Sequence, residues 1–251
     1  MNLVIEDVVY SHFRLKLNKS IDLAKMWSFI VSNNPGRENT YHNTQHMKHM
    51  AGIACYLFEN SDAYKVMSPA EQHLQTNLLL IACCWHDYGH SAGKTTDVEN
   101  IRVASDAFME WFETNWVSMV PYLIGKKVTE GKSEDEREAA NLAMIVLDII
   151  KVTEFPFVHR PHGTLQMCAR DADLLYTFDT DTGKIVHGLY MELKSSGKFP
   201  QGFSFMNFMN RQADFLDSCE HFTPLGKQIH ETMKADVLAR QFEWAESQGF
   251  A

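Results

Sequence analysis

The chain has 251 residues, 45% hydrophobic and 22% charged, and its 23 Lys and Arg against 32 Asp and Glu leave a formal net charge of −9. That balance predicts a folded, largely ordered chain and argues against a nucleic-acid partner, whose phosphates demand an excess of Lys and Arg. No apolar run approaches the roughly 18 residues of a membrane span, and the opening MNLVIEDVVYSHFRLKLNKS lacks a basic-then-apolar leader, so no membrane and a cytoplasmic location are expected.

Along the chain, a helix is predicted over 21–30 behind Ser20 as N-cap, ending at the turn-forming NNPGREN. A second runs over 43–59, with Met47, Met50, Ile53, Ala54 and Leu57 on one stripe. Ser68-Pro69-Ala70-Glu71 reads as a capping box with proline at the first helical position, opening a helix through LLLIACCW into His86. Further helices are predicted over 97–119, 134–152, 164–175, 184–194, 204–220 and 224–247. The charged stretch 126–138 is a solvated loop running into a helix start. With little β-like alternation and no composition shift marking a boundary, the expectation is an all-α fold in a single domain spanning 1–251. The five cysteines (Cys55, Cys83, Cys84, Cys168, Cys219) are too few and too irregular for a disulfide framework or a CxxC zinc site, and read as buried thiols.

Twelve histidines are the unusual entry, and three clusters concentrate the chemistry. These are Tyr41-His42-Asn43-Thr44-Gln45-His46, His86-Asp87-Tyr88-Gly89-His90, and Arg170-Asp171-Ala172-Asp173-Leu174-Leu175. His42 and His46 share a face if the helix begins by Tyr41. Each cluster alone has an ordinary reading, a satisfied core histidine or a solvated carboxylate. Together they hold the imidazole and carboxylate donors that a catalytic metal takes, and a carboxylate bridging two ions is a common way to pair them.

The order H…HD…D on helices resembles the HD superfamily of metal-dependent phosphohydrolases. Within it, YHNTQH is similar to the YHNxxH element and HDYGH to the HDxxH element of the class I cyclic-nucleotide phosphodiesterases, whose third element, ADL, matches Ala172-Asp173-Leu174. That match favours Asp173 over Asp171. Val98-Glu99-Asn100 is similar to the family's VLEN segment, 145–154 to its helix ending in ATD, and RQADFLDSCEHFTPL to its QxxF segment. Departures are the missing proline after HDYGH, Ile101 and Arg102 in place of paired histidines, and Leu175 and Tyr176 after ADL.

The resemblance implies a compact multi-helix domain with a binuclear metal site in a central helical pocket. His46, His86, Asp87 and Asp173 would hold a first metal, zinc, and Asp87 would share a second, magnesium or manganese. His90, Glu99 and Thr153 would hydrogen-bond the waters of those ions. A bridging hydroxide would attack phosphorus, and His42 would protonate the leaving 3′ oxygen, with Glu99 keeping it charged. Tyr41, Gln212, Phe215, Leu189 and Thr153 would line the substrate, with Gln212 reading the base and Phe215 stacking on it. The implied partner is a small-molecule nucleotide.

Three other readings stand beside this one. A nucleotidase or deoxynucleoside triphosphate hydrolase would use the same ligands with extra cations, from Lys94, Arg102, Arg160, Arg170 and Arg211. A di-iron oxygenase would recruit His90, His159 or His162. A degenerate domain would bind without turnover. Aromatic residues on the last two helices leave room for a homodimer.

Overall fold

The computed structural model describes residues 5–250. Its regular elements are all helical, and no strand occurs among the described residues. Short helices α1 (Ile5–Val9) and α2 (Leu15–Asn18) flank a π-helical turn at Tyr10–Arg14. They are followed by α3 (Ile21–Asn33), α4 (Thr44–Glu59), α5 (Asp62–Val66), α6 (Pro69–Trp85), α7 (Asp97–Ile124) and α8 (Ser133–Lys151). Then come α9 (Thr164–Leu175), a 3₁₀ turn at Tyr176–Phe178, α10 (Thr182–Ser195), α11 (Phe205–Ser218) and α12 (Pro224–Ser247).

Local chemistry explains most starts and stops. Ser20 Oγ accepts from Leu23 N at 3.2 Å and opens α3, and Ser68 with Glu71 forms the capping box ahead of α6. α7 continues to Ile124, past Pro121, and stops where Gly125 turns left-handed at φ +66°. The one shift that touches the chemistry is at α4. Asn43 is its N-cap, accepting from Gln45 N (2.9 Å) and His46 N (3.2 Å), so the helix begins at Thr44. His42 therefore lies in the turn before the helix, not one helical turn from His46 on a shared face. The segments at 5–18 and 62–66 had no helical expectation. They are too short for a resolvable periodic stripe, and tertiary packing forms them: Ile5, Val9 and Phe13 are buried against α4.

α4 and α6 pack against each other at the centre, and α9 lies across α4. Leu78 to Trp85 is buried without interruption, so α6 has no solvent face over that length. A second hydrophobic cluster, around Val186, Tyr190, Phe205, Phe208, Met209 and Ala245, joins α10, α11 and α12. The aromatic residues of α11 and α12 largely pack into this cluster. The described residues include no helix long and apolar enough to cross a membrane.

Candidate functional site

α6 ends where its last carbonyls lack helical partners, and His86 uses one of them: its Nδ1–H donates to Cys83 O at 2.8 Å. That bond fixes the tautomer and leaves Nε2 bare, pointing at the ring of His46 on α4, Nε2 to Nε2 at 3.1 Å. Asp87 Oδ2 is 3.1 Å from His46 Nε2 and 3.2 Å from His86 Nε2. Asp173, on the last turn of α9, brings Oδ1 to 3.1 Å from His46 Nε2 and 3.9 Å from His86 Nε2. His46, His86 and Asp87 are all buried.

These separations suit a metal. Ligand bonds of about 2.0–2.2 Å place neighbouring donors about 3.0–3.5 Å apart around one ion. The orientation agrees, because Asp87 Oδ2 is buried and, despite two ring nitrogens so near, makes no hydrogen bond of acceptable geometry. The ligand atoms of His46, His86 and Asp87 all lie within 4.8 Å of one another. The field there favours positive charge: burial works against a charged His46, yet the adjacent carboxylates of Asp173 and Asp87 overcome it and push its pKa up to about 9. The donor set therefore fits a divalent cation of the kind that imidazole and carboxylate hold.

Asp171, two residues from Asp173, is wholly buried and does something else. Its carboxylate accepts from Phe222 N (2.8 Å), Thr223 N (2.8 Å) and Thr223 Oγ1 (2.6 Å), tying α9 to the start of α12. Of the two aspartates, the one matched to the ADL element is the one beside His46.

Beside this cluster lies a second. His42 and His90 stack with ring centroids 3.6 Å apart, and each has its own carboxylate. His42 Nδ1 bonds Glu192 Oε2 at 2.6 Å, while Glu192 Oε1 also accepts from the backbone N–H groups of Tyr41 (2.5 Å) and His42 (3.1 Å). His90 Nε2 lies 3.4 Å from Asp97 Oδ1, and the Asp97 carboxylate is held by Phe155 N and Asn100 Nδ2. Burial, with His90 stacked alongside, holds the His42 pKa below its ordinary value despite Asp87 and Glu192. Burial also opposes charge on His90, but Asp97 and Asp87 outweigh it and raise the value. His42, His90 and Glu192 thus form the other group whose ligand atoms converge.

Glu192, which sequence reasoning did not single out, is the carboxylate that meets His42, and Glu99 does not reach that ring. Glu99 lies at the surface in a two-pronged pair with Arg102, at 2.6 and 2.9 Å, its side chain 42% accessible. Its neighbours Asp97 and Asn100 face inward instead. Glu192 reaches His42 because Gly188, one turn earlier on α10, lets that helix touch the 40–41 turn: a Cβ at Gly188 would stand 2.5 Å from Thr40 O. Thr40 Oγ1 donates to Gly188 O at 2.8 Å, closing the contact. The only available signal was a glycine and a glutamate four apart on a predicted helix.

A cavity of about 760 Å³ reaches the first cluster at Asp173 and the second at His42 and His90. Tyr41, His42, His90 and Asp173 form its floor, and Leu189, Phe208, Gln212 and Phe215 its walls. Gln212 is buried, yet its side-chain amide has no hydrogen-bond partner among the described residues. Thr153 is not in the lining; it is buried and its hydroxyl donates to Ile150 O at 2.8 Å. Lys198, absent from the sequence-based set of cations, lines the cavity with Arg211, whereas Arg102 and Lys94 do not. His159 and His162 belong to neither His/carboxylate group. Burial raises the thiols of Cys83, Cys84 and Cys168 well above their ordinary value and those of Cys55 and Cys219 to about 12, which leaves no thiolate for chemistry. No family model matches this chain, and no curated protein matches it significantly.

Proposed function

We propose that this protein is a metal-dependent phosphodiesterase that hydrolyses the 3′ P–O bond of a 3′,5′-cyclic nucleotide. The observation that carries the reading is a pair of adjacent groups: the converging donors of His46, His86 and Asp87 with Asp173 beside His46 at the cavity, and next to them a histidine held by its own carboxylate. Bound at His46, His86, Asp87 and Asp173, zinc with a second magnesium or manganese ion sharing Asp87 would supply positive charge for the phosphate oxygens and acidify a water. Glu192 fixes the His42 ring by accepting from Nδ1–H, so Nε2 faces the leaving oxygen and delivers a proton to it only from the imidazolium form, whose charge the Glu192 carboxylate favours against burial. His90, braced by Asp97, packs on that ring and limits its rotation. Gln212 and Phe215 meet the base, the amide reading its edge and the ring stacking on its face.

Lys198 and Arg211 at the cavity wall favour one second reading within the same chemistry, a nucleotidase or triphosphate hydrolase acting on linear nucleotides. A panel of cyclic and linear nucleotides, run with Mn, Mg, Zn and Fe added separately and read by chromatography of the nucleotide products, decides between them. Turnover of cyclic AMP or cyclic GMP above linear nucleotides is the expected result. Turnover of triphosphates alone would replace the first reading with the second. Iron-dependent oxygen consumption without hydrolysis of any nucleotide would discard both.

A further inference from the structure

A second cavity, of about 490 Å³, lies against the first. Phe155, Pro156, Phe157 and Phe215 line both, so the two share a wall rather than lying on separate faces. Its own lining adds Phe222, His159, Arg160 and Arg170. Arg170 is 2% exposed, and its guanidinium stacks on the Phe157 ring at 3.7 Å. Its hydrogen bonds go to the carbonyls of Val152 and His159, and no carboxylate stands within salt-bridge reach of it among the described residues. Asp171 and Asp173 act on the guanidinium only through space, so Arg170 presents its charge at the cavity wall with no direct ion pair. Arg160 stands at the lip, 73% exposed, and its one acidic neighbour is the equally exposed Glu220 at 4.0 Å.

Arg170 is also three residues before Asp173 on α9, about 4.5 Å along the helix axis, so this charge lies one turn from the metal-ligand cluster. The chemistry here is aromatic rings for a flat heterocycle and guanidinium for an anion, the combination that holds a nucleotide. A cyclic mononucleotide does not need it, because a cavity of about 760 Å³ already lies within the usual size range for a small-molecule site.

We propose that the two cavities together bind a dinucleotide phosphodiester, with one nucleoside on Gln212 and Phe215 and the second, with its phosphate, between Phe222 and the Arg160–Arg170 side of the shared wall. This rests on the phosphodiesterase reading for the first cavity, whereas the second cavity uses only the chain's own side chains. Its test is therefore binding without turnover: calorimetry in EDTA with cyclic AMP, with the linear dinucleotide pApA and with cyclic di-AMP, on the wild type and on Arg160→Glu.

One dinucleotide per chain, linear or cyclic, should bind about tenfold more tightly than cyclic AMP, and Arg160→Glu should remove most of that advantage while leaving cyclic AMP affinity unchanged. Equal affinities, two cyclic AMP molecules per chain, or a dinucleotide affinity indifferent to Arg160→Glu would each overturn the proposal. The two readings fail separately. A chain that cleaves cyclic AMP with metal but shows no dinucleotide preference loses the second subsite alone. One that shows the preference but cleaves no phosphodiester with any metal loses the phosphodiesterase reading alone.

Discussion

Two histidine–carboxylate clusters sit side by side, the first meeting the cavity at Asp173 and the second at His42 and His90, and they are built on different principles. In the first, His46 and His86 meet ring to ring while Asp87 Oδ2, close to both, stays buried and unbonded. In the second, His42 has Glu192 and His90 has Asp97, each imidazole paired with a carboxylate of its own. The difference is one of hydrogen-bond satisfaction, and under the proposed function it separates ion binding from proton transfer. An unsatisfied convergent set is costly unless a cation completes it, whereas a satisfied dyad is stable as it stands and holds a ring in position for proton transfer.

The largest effect that would break this contrast is on the first cluster. Asp87→Ala and Asp173→Ala should lose bound metal by elemental analysis and lose phosphodiester turnover beyond about 100-fold, since ligands matter more than the groups that support them. Full metal content in Asp87→Ala would remove the distinction between the clusters. Next, His42→Ala should retain metal and fold while turnover falls about 10²–10⁴-fold, the range of a general acid. Glu192→Gln should fall less, by about 10–100-fold in kcat with KM and metal unchanged, because it acts only through His42. In the double variant the two losses should not add, and full additivity would show that Glu192 works independently of that ring. The smallest effect sharpens the comparison from outside it. Glu99→Ala breaks only an exposed pair with Arg102 and should change turnover by no more than about twofold.

Much of the fold was legible because α4, α6, α8, α9 and α12 carry their own punctuation: Ser68 and Glu71 in a capping box, Pro224 at a first helical turn, and stripes long enough to show a period. The four metal-ligand candidates were legible for a related reason. His46, His86 and Asp87 lie in short local motifs at helix ends, and Asp173 sits one element further in a matching order. Glu192 carried no such mark. It joins His42 across 150 residues of chain, through a helix whose approach depends on the missing side chain of Gly188. The same holds for Lys198 in the cavity wall and for Arg170, whose surroundings at Val152, Phe157 and His159 come from a loop that shows no period at all.

From the sequence alone came the all-helical class, the caps, the acidic character and the donor types that would meet a metal, because these follow from local propensity and from residue chemistry. The tertiary structure decided which of two aspartates, two residues apart, faces His46 and which ties α9 to α12. It also decided that Glu192 and not Glu99 meets His42, and that a second cavity shares a wall with the first. Such choices depend on how helices distant in sequence approach one another. That approach is set by close packing at points such as Gly188 against Thr40, which no periodicity in a single segment can express.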